Sequence, residues 1–122
     1  MAKKTVMICD DESEIRNSVK SILERNGFNV TTAVDGDDCI KKLSKQKIDL
    51  VLVDVMMPGR PVREIVQEIN GKGPKVAYLT MVRIAKAEMN EILKHNNICD
   101  FIQKPIDEKE FVARIKKNCG GK

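Results

Sequence analysis

Apolar positions along the chain follow two alternating periods. Short runs rich in β-branched and aliphatic residues occur at Thr5–Cys9 (TVMIC), Val30–Ala33, Ile48–Val53 (IDLVLV), Val76–Leu79 and Cys99–Ile102. Runs of this length, bounded by polar residues, read as strands. Between them the apolar residues recur at three- and four-residue steps, the signature of helices that bury one face. Ile15, Val19, Ile22 and Leu23 mark a first helix, Ile40 and Leu43 a second, and Val62, Ile65, Val66 and Ile69 a third. Ala85, Met89, Ile92 and Leu93 mark a fourth, and Phe111, Val112 and Ile115 a fifth. Punctuation residues agree. Ser13 is expected to cap the first helix and Gly27 to stop it in the left-handed conformation. Asp35 starts the second, while Pro58 and Pro61 impose a loop and open the third. Asn70–Pro74 is a turn, and Asp107 with Glu110 has capping-box spacing.

Strands alternating with helices imply an α/β fold, with a parallel sheet covered by helices on both faces. Ile48–Val53 is the most apolar run and is expected at the centre; Val30–Ala33 is more polar and is expected at an edge. In such sheets ligands bind beyond the carboxyl ends of the strands.

Composition narrows the function classes. The 122 residues make one domain, with a core over about 4–118 and a short tail over 119–122. With 42% hydrophobic residues the chain can fold, and no stretch is long and apolar enough for a membrane span. The apolar run before Asp10-Asp11 is too short for a signal peptide, so a cytoplasmic protein is expected. A net charge of +4, scattered basic residues, one Tyr and no Trp argue against a direct nucleic-acid partner. Cys9, Cys39, Cys99 and Cys119 form no C-x-x-C pair and His95 stands alone, so zinc spacing is missing and reduced thiols are expected. Gly71-Lys72-Gly73 precedes a strand rather than a helix, which reads as a connection and not a nucleotide cradle.

Chemistry gathers where the apolar runs stop. The first strand ends in Asp10-Asp11, the third in Asp54 and the fourth in Thr80, and Lys104-Pro105 follows the fifth. Neighbouring strands lie about 4.8 Å apart, so adjacent first and third strands would crowd three carboxylates that repel unless a cation intervenes. An oxygen-only donor set suits Mg²⁺. A lysine can lean across the remaining strands, and a hydroxyl needs only to cross one. Cation, ammonium and hydroxyl around one carboxylate would support phosphoryl transfer, which rests on positioning and charge neutralisation. Asp54, alone at the end of the most buried strand, is the best nucleophile.

With these residues in place the chain resembles the receiver domain of two-component response regulators over about Lys4 to Lys117. The matching pieces are Ile8-Cys9-Asp10-Asp11, Val53-Asp54-Val55-Met56-Met57-Pro58-Gly59, Leu79-Thr80 and Lys104-Pro105. The resemblance implies a flavodoxin-like (βα)5 fold with strand order 2-1-3-4-5. It implies a signalling phosphoacceptor rather than an enzyme, which takes a phosphoryl group from a sensor histidine kinase or phosphotransfer protein with Mg²⁺ as cofactor. Asp54 would be the phosphoacceptor. Asp11, Asp54 and the backbone carbonyl of Met56 would hold Mg²⁺, with Asp10 acting through a water. Thr80 and Lys104 would contact the phosphoryl oxygens. Phe101 would be the switch aromatic, swinging inward as Thr80 moves. The face made by the fourth helix, fifth strand and fifth helix would then engage a downstream protein or form a phosphorylation-dependent homodimer.

Two departures from the family pattern stand out. Met81 follows Thr80 where a small residue is usual and could narrow the path to Asp54; Pro61-Val62 replaces a common Asp-Gly pair. Met56 and Val82, two residues beyond Asp54 and Thr80, offer no hydrogen bond to an attacking water, so slow autodephosphorylation is expected. The alternatives are an interaction module of the same fold that is not phosphorylated, and a hydrolase of the haloacid-dehalogenase kind. The second lacks its D-x-D-x-T motif, since the chain reads Asp10-Asp11-Glu12-Ser13.

Overall fold

The computed structural model describes residues 3–55, 62–69, 73–80 and 98–119. Five parallel strands form one sheet: β1 (Thr5–Cys9), β2 (Asn29–Ala33), β3 (Leu50–Val53), β4 (Lys75–Thr80) and β5 (Ile98–Gln103), in the order β2-β1-β3-β4-β5. This is the flavodoxin-like order expected, with polar β2 at an edge and β3, buried at every position, in the middle. Helices α1 (Ser13–Arg25), α2 (Gly36–Leu43) and α3 (Val62–Ile69) follow the first three strands, and a C-terminal helix spans Glu108–Asn118.

Alternation along the strands divides the core into two layers, because successive side chains leave opposite faces. Val6, Ile8, Leu50, Leu52, Ala77 and Leu79 pack with Val19 and Leu23 of α1 and with Phe111 and Ile115 of the C-terminal helix. Met7, Cys9, Val51, Val53, Val76 and Tyr78 pack with Cys39 of α2 and with Ile65, Val66 and Ile69 of α3. The helices therefore present their stripes to the two rows of the same strands in pairs, α1 with the C-terminal helix on one face and α2 with α3 on the other.

Helix ends follow local chemistry, with one correction. Asp35 caps α2 by accepting from the Asp38 N–H at 2.8 Å, and Asp107 caps the C-terminal helix by accepting from the Glu110 N–H at 3.1 Å. Gly27 takes φ +90 just beyond α1, as a left-handed stop requires. Ser13, however, is the first helical residue and not the cap. Glu12 precedes it with no side-chain capping bond, and its own N–H donates instead to Asp10 Oδ1 at 2.9 Å. The tight turn after β1 spends its cap on the acid pair. β3 is also shorter than the apolar run: Asp49 stays outside it, its Oδ2 accepting from the Thr5 N–H at 2.8 Å.

Cys9, Cys39, Cys99 and Cys119 form no disulfide with one another. Among the described residues no helix is long and apolar enough to cross a membrane. The expected fourth helix, Met56, Pro58, Pro61, Met81 and Val82 lie outside the described residues.

Candidate functional site

The register of the sheet places the acids. Cys9 pairs with Val53, so Asp10 and Asp54 follow at the same level of adjacent strands. The chain holds both backbones there, with the Asp10 N–H on the Ala33 carbonyl and the Asp54 N–H on the Cys9 carbonyl, each at 3.1 Å. Val53 pairs with Tyr78 and Thr80 with Gln103, which brings the ends of β4 and β5 to the same rim. Thr80 thus closes β4 where expected; its side chain is not among those described.

Asp10 is fully buried and Asp54 is 5% exposed, an environment that punishes unpaired charge. Lys104 answers both. Its Nζ donates to Asp10 Oδ2 at 2.8 Å and to Asp54 Oδ2 at 3.2 Å, with Lys104 itself buried. Burial alone would lower the lysine pKa, but the two carboxylates outweigh it and hold the ammonium above its ordinary range. Every polar atom of Asp10 is engaged: Oδ1 by the Glu12 N–H, Oδ2 by Lys104, the carbonyl by Arg16 Nη1 at 2.7 Å.

Asp10, Asp11, Glu12 and Asp54 each bring a carboxylate oxygen within 4.8 Å of the others. Asp11 and Glu12 are exposed, so the cluster opens to solvent on one side and rests on buried acids at the other. Oxygen-only donors around one point fit a hard divalent cation and not zinc.

Phe101 is 4% exposed and lies edge-on against Tyr78, with ring centroids 5.9 Å apart. Arg114 Nη1 donates to the Phe101 carbonyl at 3.2 Å, and a cavity of about 270 Å³ opens beside it between β5 and the C-terminal helix.

The receiver-domain profile of response regulators matches residues 6–116, with the acid cluster and the lysine inside the match. The chain belongs to the response regulator receiver domain family. Receiver domains are signalling modules served by histidine kinases, and the described residues carry the five-stranded sheet of that fold. A response regulator from Thermotoga maritima is 29% identical, with 98% of this chain and 100% of that chain covered at a TM-score of 0.84. A CheY-like receiver domain protein from Methanospirillum hungatei JF-1 is 32% identical, covering 98% and 94% at a TM-score of 0.75. The Thermotoga maritima response regulator TrrA, solved in complex with Mg²⁺ and BeF, is 28% identical, covering 93% and 97% at a TM-score of 0.80.

Asp10, Asp11, Asp54 and Lys104 are thus brought together as the strand ends foretold. Three neighbours were missed. Glu12 joins the acid cluster, Arg16 holds the Asp10 carbonyl and Tyr78 backs Phe101. Glu12 had a signal, since it extends the acid run at a strand end. Arg16 and Tyr78 had none, because each read as ordinary helix charge or strand core.

Proposed function

We propose that this receiver takes a phosphoryl group onto Asp54 from the phosphohistidine of a sensor histidine kinase or phosphotransfer protein, in a reaction that requires Mg²⁺. The observation that carries this reading is Lys104 Nζ hydrogen-bonded to both Asp10 and Asp54 at the floor of an oxygen-only acid cluster. Asp11, Glu12 and Asp54 offer oxygens for the cation, with Asp10 beside them. The TrrA complex with Mg²⁺ and BeF supports such a loading in a relative. Bound there, Mg²⁺ would offset the negative charge of the phosphoryl oxygens.

The chain's own groups do the rest. An Asp54 carboxylate oxygen bonds to phosphorus as the P–N bond of the phosphoimidazole breaks, and the imidazole nitrogen leaves with the electron pair. Lys104 is released from Asp54 Oδ2 to pair with a phosphoryl oxygen. Thr80, at the end of β4, supplies a hydroxyl to another. Phe101 and the cavity lined by Ile106, Glu110 and Arg114 then form part of the face that meets a downstream protein. The side chains of Met56 and Val82 offer no hydrogen bond to an attacking water, so a long phosphoryl lifetime is expected, and Val82→Glu should shorten it.

The test is acetyl phosphate with Mg²⁺, followed by intact-mass and peptide analysis. One phosphoryl group on Asp54, lost in Asp54→Asn, is the expected result. No gain, or a gain elsewhere, rejects the reading and leaves an interaction module of the same fold.

A further inference from the structure

Arg16 stands beside the acid cluster without pairing with it. It is the fourth residue of α1, half-buried, and its Nη1 donates to the Asp10 carbonyl at 2.7 Å. Its backbone N–H goes to the Glu12 carbonyl at 3.1 Å. Among the described residues the guanidinium makes no other hydrogen bond and no ion pair, although four carboxylates converge next to its anchor. An arginine in such company ordinarily closes a two-pronged pair with a carboxylate. Here one prong is fixed on a neutral carbonyl, and the rest of the donor fork remains uncommitted.

The charge balance gives that fork a task. Among the described residues four carboxylates face one buried ammonium, so even with a divalent cation these groups together stay weakly anionic. The phosphoryl donor is itself an anion and must approach against this field. Lys104 is no help at the mouth, being buried and committed to Asp10 and Asp54. A half-exposed guanidinium can both lower the repulsion and bind phosphoryl oxygens in its planar fork.

We propose that Arg16 is the residue with which the pocket binds the anionic phosphoryl donor before transfer, a role that rests on Asp54 being the phosphoacceptor. It is a binding residue, held in place by the Asp10 backbone, and takes no part in bond making.

The experiment compares the parent with Arg16→Gln and Arg16→Lys, after melting curves show both variants folded. Acetyl phosphate is the donor, at saturating Mg²⁺ and several salt concentrations, with the rate read as phosphoryl gain by mass. Arg16→Gln should lower the second-order rate about tenfold at low salt, the scale of one charge-assisted hydrogen bond, and should leave a rate that rises with added salt as the repulsion between pocket and donor is screened. Arg16→Lys should keep the salt dependence and recover part of the rate. Mg²⁺ affinity by calorimetry should stay within about twofold, because the donor contact is separate from the carboxylates. An unchanged rate in Arg16→Gln overturns the proposal. So does a loss of Mg²⁺ affinity by the same factor as the rate, which would make Arg16 a brace for the Asp10 backbone only. A parent protein that gains no phosphoryl group overturns the phosphoacceptor reading itself, and this inference with it.

Discussion

Lys104 and Asp10 lie 94 residues apart in sequence and on strands three places apart in the sheet, yet Lys104 Nζ meets Asp10 Oδ2 at 2.8 Å. The same ammonium reaches Asp54 at 3.2 Å, so one buried cation holds two buried acids. Removing one member of such a group leaves uncompensated charge, which costs about 3–5 kcal/mol where the site cannot relax. Lys104→Met should therefore lower the urea midpoint markedly in metal-free buffer. Mg²⁺ should return more stability to the variant than to the parent, since it would then supply counter-charge that Lys104 no longer provides. Equal midpoints for parent and variant without metal would show that the ammonium does not hold the pocket together.

Divalent binding should itself be visible as stability. A ligand that binds only the folded state raises stability by RT ln(1 + [L]/Kd). Millimolar Mg²⁺ should raise Tm in the parent, and Asp11→Asn, which removes an exposed carboxylate without opening the core, should abolish most of the gain. A melting curve indifferent to Mg²⁺ in the parent would deny the cluster its metal.

Alkaline pH should expose a buried thiol at the other end of the chain. Burial, helped by the Asp49 carboxylate, pushes Cys119 up to about 11 from an ordinary value of 9.0. The folded protein thus holds this proton more tightly than the unfolded chain does. The corresponding stability is fully present below about pH 9 and is lost as pH rises through about 11. Urea midpoints at pH 8, 10 and 11 should fall in the parent and fall less in Cys119→Ala. Identical slopes would remove the thiol as a cause.

The contact between α2 and α3 admits no side chain at Gly36. A Cβ there would lie 2.6 Å from Ile65 Cγ1 and still closer to Ile65 Cδ1, and Ile65 is 1% exposed with little room to retreat. Gly36→Ala should cost about 1–3 kcal/mol, the usual range for overpacking. The double variant with Ile65→Ala should be less unstable than the two separate losses predict, because the clash is gone. Strict additivity in chemical denaturation would contradict the contact.

Strand and helix periods make the architecture legible in the sequence. Hydrophobic alternation is a local property, and a βαβ chain has few ways to close a sheet. Asp10, Asp11, Asp54 and Lys104 were legible for the same reason: polar residues that stop apolar runs of a parallel sheet must share a rim. Asp35 and Asp107 were recognisable as caps because a cap bonds within three residues. Ser13 misled because the turn after β1 answers to Asp10, whose carboxylate takes the Glu12 N–H that a conventional cap would leave free.

Side-chain partnership across the sheet was a different matter. That Lys104 bridges two acids, that Arg16 is anchored to a carbonyl instead of a carboxylate, and that Tyr78 braces Phe101 all depend on rotamers and register between distant segments. Periodicity reports which face a residue occupies, whereas a hydrogen bond between residues far apart in the chain exists only once the strands have been laid side by side. Residue order alone was enough for the class of fold and the rim of acids; the packed sheet had to decide which charges touch, and through them how the pocket meets its ligands.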